Sequence, residues 1–370
     1  MTNLLARLLN DFDRLRLSRR QLLKALGVAA AIRPASTFAQ GQCGGARAGT
    51  PECDPTPAKL PFEPTGWKTV LLDHFSCQTV DYPKEAAYYA ALMNWKIRSD
   101  DGKQAVLDIG DWGGLVLSGG YQAPPAPPPG EEAATNRGGT RGGGPRAPRL
   151  AVFDNFCWGI EPWDAKNVEA ELRKRGLTPV ADNRGKDFQS FHVKDPDGFD
   201  LQISNGNRTN RRQGSANGKT SAPAPFEATG WQTVWLDHIS FEVSNYKESV
   251  AFYTALLGWK PGTDEGSQNQ CQIGDVGDII IRRGFRGSRG TEAGSTPLAR
   301  GATIGHIAFG ITPFDPDQVK AELEKRGLTA RVDTGGRGDI HTATYKSYHT
   351  TTPNGFDLQI SATTRGNRGG

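Results

Sequence analysis

Residues 61–113 realign without a gap onto residues 225–277, a shift of 164 positions that superposes Trp67 on Trp231, Asp73 on Asp237, His74 on His238, Tyr89 on Tyr253 and Trp95 on Trp259. A repeat of that length is a duplicated domain rather than a solenoid unit. Any fold proposed for one copy must therefore serve the other. Later parts of the copies match across a shorter intervening loop, with Phe153-Asp154-Asn155-Phe156 on Ile304-Gly305-His306-Ile307 and residues 198–204 on 355–361. A chain of 370 residues holds two such copies and further segments. The divisions that follow are a leader over 40–60, a first domain over 61–204, a polar linker over 205–224, a second domain over 225–362 and a tail over 363–370.

Each copy splits again into two units of one strand, one helix and two or three strands. In the second copy, period-two alternation puts Ile239, Phe241 and Val243 on one face of a strand and His238, Ser240 and Glu242 on the other. The segment around His306 alternates likewise, and the last strand puts Phe356, Leu358 and Ile360 opposite Asp357, Gln359 and Ser361. One face is a core and the other a polar wall. A helix opens at Asn245 with Glu248 three residues on and closes at Gly258, and another opens at Asp315-Pro316 and ends at Gly327. Their counterparts are expected near 83–93 and 164–175. Phe252, Tyr253, Trp259 and Phe309 stand at core spacings.

The net charge of +4 comes from the N-terminus, where residues 1–39 hold seven basic and two acidic side chains. The remainder is close to neutral, which leaves no basic surplus to recruit nucleic acid. Ser18-Arg19-Arg20-Gln21-Leu22-Leu23-Lys24, the short apolar run 25–32 and the small-residue end Thr37-Phe38-Ala39 read as a twin-arginine signal peptide over 1–39. The expectation is a periplasmic or secreted protein with no stable membrane anchor after export. Of five cysteines, Cys43 and Cys53 could pair in an oxidising compartment, whereas Cys77, Cys157 and Cys271 fall in predicted strands as small buried hydrophobes. The Pro/Gly/Arg-rich stretch 119–149 and its shorter counterpart 284–301 read as solvated loops.

Four units of strand, helix and strands, paired two per copy, resemble the vicinal oxygen chelate superfamily of glyoxalase I, bleomycin resistance proteins and extradiol dioxygenases. The resemblance rests on Asp237-His238, the helix segment 249–259, Gly305-His306-Ile307-Ala308-Phe309 and the hairpins Asp195-Pro196-Asp197-Gly198 and Thr352-Pro353-Asn354-Gly355. It implies an α+β fold of two tandem domains, each of two paired βαβββ modules curled into a cup, with room for a homodimer. It also implies a metal held by His238, His306 and Gln359, where Gln359 stands in place of the usual carboxylate and brings no charge. Fe(II) is the expected ion, with Mn, Ni or Zn as alternatives. By the same resemblance His349 and His341 are the acid/base candidates.

Glu242 and Arg282 share the wall as substrate contacts, Arg282 being unable to ligate because a guanidinium offers no lone pair. The first copy offers His74, Ser118, Asn155 and Gln202 at the matching positions, one imidazole among three neutral polar groups and a poor metal site; His74, Asn155, Gln202 and, beside them, His192 are substrate contacts instead. The leading expectation is a metal-dependent dioxygenase or lyase acting on a small molecule that chelates through vicinal oxygens. The other is a metal-free protein that binds a small molecule in one or both cups.

Overall fold

The computed structural model describes residues 57–122, 150–182, 187–210, 220–284, 301–333 and 345–367. His341, Cys43, Cys53, the signal peptide and most of the 119–149 loop lie outside the described residues. In the first half the chain runs β1 (Lys68–Thr79), α1 (Tyr82–Met93), β2 (Lys96–Asp100), β3 (Gln104–Ile109) and β4 (Gly113–Ser118). It continues with β5 (Ala151–Glu161), α2 (Ala165–Lys174), β6 (Val180–Asp182), β7 (Ser190–Lys194) and β8 (Asp200–Ser204). The second half repeats the series as β9 (Gln232–Val243), α3 (Tyr246–Leu257), β10 (Lys260–Asp264), β11 (Gln268–Ile273), β12 (Gly277–Arg283), β13 (Ala302–Thr312), α4 (Pro316–Lys325), β14 (Arg331–Asp333), β15 (Ser347–Thr351) and β16 (Asp357–Ser361). The third module thus has three strands after its helix; the segment Lys260–Asp264 lacks an apolar alternation and escapes a reading based on periodicity.

Among the described residues each half forms one eight-stranded sheet, ordered β2-β3-β4-β1-β5-β8-β7-β6 and β10-β11-β12-β9-β13-β16-β15-β14. In each module the first strand lies parallel to the last, and the two modules join where β1 meets β5, or β9 meets β13, in antiparallel register. This is the α+β architecture of paired βαβββ modules. The helices start where sequence chemistry places them: the Asn245 side chain accepts a hydrogen bond from the Glu248 amide and the Asp315 side chain from the Gln318 amide. Helix α3 ends at Gly258 at φ 69°, where a Cβ would come within 2.4 Å of the Trp67 carbonyl oxygen.

That close approach belongs to a reciprocal clasp between the halves. Thr65 donates to the carbonyls of Ala255 and Leu256 at the end of α3, and the Trp259 indole donates to the Thr69 hydroxyl at 3.0 Å. Thr229 does the same to Ala91 and Leu92 at the end of α1, and the Trp95 indole donates to Thr233 at 2.8 Å. The aromatics continue the exchange: Trp158 packs edge-on against Trp259 at 5.5 Å, Phe156 against Phe241 at 5.7 Å, and Trp95 against Phe309 at 5.1 Å. One hydrophobic core consequently spans both halves. Cys77, Cys157 and Cys271 are buried free thiols within β1, β5 and β11.

Because the core is shared, Trp259→Ala should destabilise the chain by about 3–5 kcal/mol and keep a single unfolding transition. The check is denaturant unfolding followed by tryptophan fluorescence and circular dichroism, and two separated transitions would refute a common core.

Candidate metal centre

The polar wall of the second sheet is enclosed: His238, His306, His349, Asp357 and Gln359 are all buried. Its rows follow from strand register. His238 on β9, Ala308 on β13 and Gln359 on β16 form one cross-strand row, continued by His349 on β15. Ser240, His306 and Asp357 form the next. Ala308 presents only a methyl group between His238 and Gln359, which leaves volume over the middle strand. In the first half the corresponding row is His74, Cys157 and Gln202.

The β9–β13 register slips where Leu236 pairs with Phe309 and His238 with Ala308, making Asp237 the extra residue of a bulge. A bulge lets successive side chains approach each other, and the His238 Nδ1 lies 3.0 Å from Asp237 Oδ1. Asp237 also accepts from the Tyr345 hydroxyl at 3.0 Å and the Thr363 hydroxyl at 2.6 Å. Burial would raise its carboxyl, but the neighbouring His238 and the Ser361 and Thr363 hydroxyls outweigh it and hold Asp237 below the usual range. A carboxylate at Nδ1 fixes that nitrogen as the donor, so the lone pair of neutral His238 sits on Nε2. His306 Nε2 stands 3.0 Å away, its ring at 78° to that of His238.

Gln359 is fully buried, and its Nε2 donates to the Tyr345 hydroxyl at 2.9 Å and the Ser347 hydroxyl at 2.8 Å. With both amide protons engaged the amide orientation is set, and its Oε1 has no hydrogen-bond partner. A bare buried carbonyl costs about 1–3 kcal/mol. The first half offers the control. Gln202 donates to Ser190 at 2.8 Å, but its Oε1 accepts from the Asn155 amide at 3.2 Å. Where the first half has Asn155 the second has His306, and only there does the Gln carbonyl stay bare.

His349 is held at both nitrogens, Nδ1 at 3.0 Å from Asp357 and Nε2 at 3.2 Å from Asp333. Burial alone would lower its pKa, yet the two carboxylates prevail and the net shift is upward. Asp357 also pairs with Arg331 at 2.9 Å. His306, His349 and Asp357 offer three ligand atoms within 4.8 Å of one another, a buried His/His/Asp group of the kind that can hold a divalent ion. Sequence pattern had placed Asp357 on the wall without a role; its closeness to His349 depends on the β15–β16 hairpin. Tyr345 and Asp333 are further members that no alternation singles out.

Glu242 and Arg282 are cross-strand neighbours at the edge of the same face. Burial lowers the Arg282 pKa and Glu242 opposes that shift, while the Arg282 Nε lacks a partner. In the first half His74 Nδ1 contacts Asp73 at 2.7 Å and His192 Nδ1 contacts Asp200 at 3.1 Å. Asp73, His74 and Cys157 also cluster, but burial pushes the Cys157 thiol well up and keeps it protonated.

Residues 235–360 match the sequence profile of the Glyoxalase/Bleomycin resistance protein/Dioxygenase superfamily. The match lies within the second half of the chain. Among solved structures, the fold is shared with the Mn(II)-bound glyoxalase from Novosphingobium aromaticivorans, at 16% identity and TM-score 0.53, covering 80% of this chain and 82% of that one. It is also shared with a variant of homoprotocatechuate 2,3-dioxygenase from Brevibacterium fuscum, at 14% identity and TM-score 0.51, covering 84% and 75%. A catechol 2,3-dioxygenase aligns at 14% identity and TM-score 0.53, covering 80% and 89%. Searching curated proteins returned no match. At these identities the structures speak for the fold, including the duplicated βαβββ halves.

Nitrogen-15 NMR should find His238 protonated at Nδ1 in the wild type. Asp237→Asn should shift its population toward the Nε2–H tautomer, and an unchanged tautomer in that variant would contradict the role given to Asp237.

Proposed function

We propose that the second half is a metal-dependent enzyme of the dioxygenase or lyase kind, acting on a small substrate that presents two neighbouring oxygens. The observation that carries this reading is the bare Oε1 of Gln359 in the row of His238, whose Nε2 meets that of His306. A divalent ion, Fe(II) first and otherwise Mn, Ni or Zn, would be held by the two imidazoles and the amide oxygen. Bound there, it would supply Lewis-acid activation of a chelating substrate. The donor set fits: two imidazole nitrogens and an oxygen are a common ligation for such ions, and the ion would give the orphaned carbonyl its partner.

The chain's own residues divide the remaining work. Asp237 keeps the His238 lone pair on Nε2. His349, whose pKa Asp333 and Asp357 raise, is the acid/base candidate, and passing its proton to a bound oxygen requires one of its two carboxylate contacts to open. Glu242 and Arg282 line the substrate side of the wall. His341 stays a second acid/base candidate from sequence. The His306/His349/Asp357 group favours a different ligand set, which would use His349 as a ligand; against it stands the engagement of both His349 nitrogens by carboxylates.

Metal analysis of protein purified without chelator separates these readings. The proposed set predicts bound metal in the wild type, its loss in His238→Ala, and its retention in Asp357→Asn with activity reduced about 10²-fold or more. Retention in His238→Ala with loss in Asp357→Asn would put the ion on the other set. A metal-free wild type would leave the cup as a binding site without metal chemistry.

We also propose export through the twin-arginine route. Replacing both arginines, Arg19→Lys and Arg20→Lys, should retain the protein in the cytoplasm on cell fractionation; unaltered distribution would contradict export by that signal.

A further inference from the structure

The cup of the first half encloses a cavity of about 470 Å³ whose walls include His74, Asp154, Asn155, His192, Asp200 and Gln202. The chemistry proposed for the second half makes no use of it. Its shape comes from a second bulge. The β1–β5 register slips where Ser76 pairs with Asn155 and Cys77 with Phe153, so Asp154 is the extra residue, and both Asp154 and Asn155 line the cavity. The counterpart of Asp154 is Gly305, where a Cβ would lie 3.1 Å from Glu242 Oε1. Glu242 in turn neighbours Arg282 across β9 and β12. The first half exchanges all three: Gln78 for Glu242, Asp154 for Gly305 and Ser118 for Arg282. A carboxylate remains in the cup and the guanidinium has gone.

The other charges of this cavity are paired. His74 contacts Asp73, Arg98 contacts Asp108, and His192 sits 3.1 Å from Asp200 and 3.6 Å from Asp182, with Lys194 3.8 Å from Asp200. Asp154 instead accepts from the neutral Gln78 amide at 2.8 Å through Oδ2, and its buried Oδ1 has no partner. Burial accordingly pushes its carboxyl above the ordinary range. Beside it Asn155, only 5% exposed, donates through Nδ2 to Gln202 and leaves Oδ1 bare. Three buried acceptors on these walls lack a hydrogen-bond partner, Asp154 Oδ1, Asn155 Oδ1 and Asp200 Oδ1, the last with Lys194 3.8 Å away. His74 favours the charged form of Asp154 only through space, so a ligand that brings N–H donors and positive charge satisfies Asp154 and Asn155 together. Val106, Val116 and Phe188 on the same walls accept a hydrocarbon body.

We propose that the first cup is a metal-independent site for a small organic ammonium compound, whose N–H groups donate to Asp154 Oδ1 and Asn155 Oδ1. The two cups then take different kinds of cation: one is arranged around imidazole and amide lone pairs for a metal ion, the other around a carboxylate for an organic ammonium. Neither depends on the other, so failure of one reading leaves the other standing.

The test is calorimetric titration of the full-length protein, in the presence of EDTA, with phenethylammonium chloride and with 2-phenylethanol as its neutral counterpart. The ammonium compound should bind about tenfold or more tightly than the alcohol. Asp154→Asn, which keeps an oxygen for Gln78, should remove that preference, Asn155→Ala should weaken ammonium binding severalfold, and the exposed-helix control Glu169→Gln should bind as the wild type does. Equal affinity for the two probes, no binding of the ammonium compound, or an undiminished preference in folded Asp154→Asn and Asn155→Ala would overturn the proposal.

Discussion

The antiparallel pairing of β9 with β13, bulged at Asp237 and again at Gly305, is the constraint on which the candidate site depends. It aligns His238 with Ala308 and His306 with Ser240, and the parallel addition of β16 places Gln359 and Asp357 in the same two rows. Without the slip at Asp237 that carboxylate would alternate away from His238, and the contact that fixes Nδ1 as the donor would be lost. Backbone hydrogen bonding thus decides which nitrogens and oxygens face each other before any side chain packs.

The same pairing exists between β1 and β5, and the comparison is instructive because the scaffold is held constant. Substituting Asn155 for His306 satisfies the Gln carbonyl internally; substituting Cys157 for Ala308 fills the gap between the outer members of the row. Both changes remove the bare Gln carbonyl and the open space beside it, while Asn155 keeps an open acceptor at its own Oδ1. The two halves are nevertheless tied by the reciprocal Trp–Thr contacts and a common aromatic core, so their cups can diverge in chemistry while stability stays collective.

Much of the architecture was legible in the sequence because a duplication constrains twice. Helix caps at Asn245 and Asp315, the core roles of Tyr253 and Trp259, and the shared face of His238, His306 and Gln359 all follow from local chemistry and period-two alternation. What escaped has a common cause. The bulges at Asp237 and Asp154 break strict alternation, Lys260–Asp264 is an exposed strand without an apolar face, and the His349–Asp333–Asp357 contacts depend on which strands are neighbours. The clasp between the halves uses threonines and indoles that alternation marks only as core or turn.

The central claim is that the second cup binds a metal between His238, His306 and Gln359, where the first cup binds none. Crystals of protein grown with Fe(II) or Mn(II), with diffraction collected across the absorption edge of that metal, test it directly. The account predicts one anomalous peak per chain within coordination distance of His238 Nε2, His306 Nε2 and Gln359 Oε1. A peak on His349 and Asp357 away from His238, a peak in the first cup, or no peak in the second would contradict it.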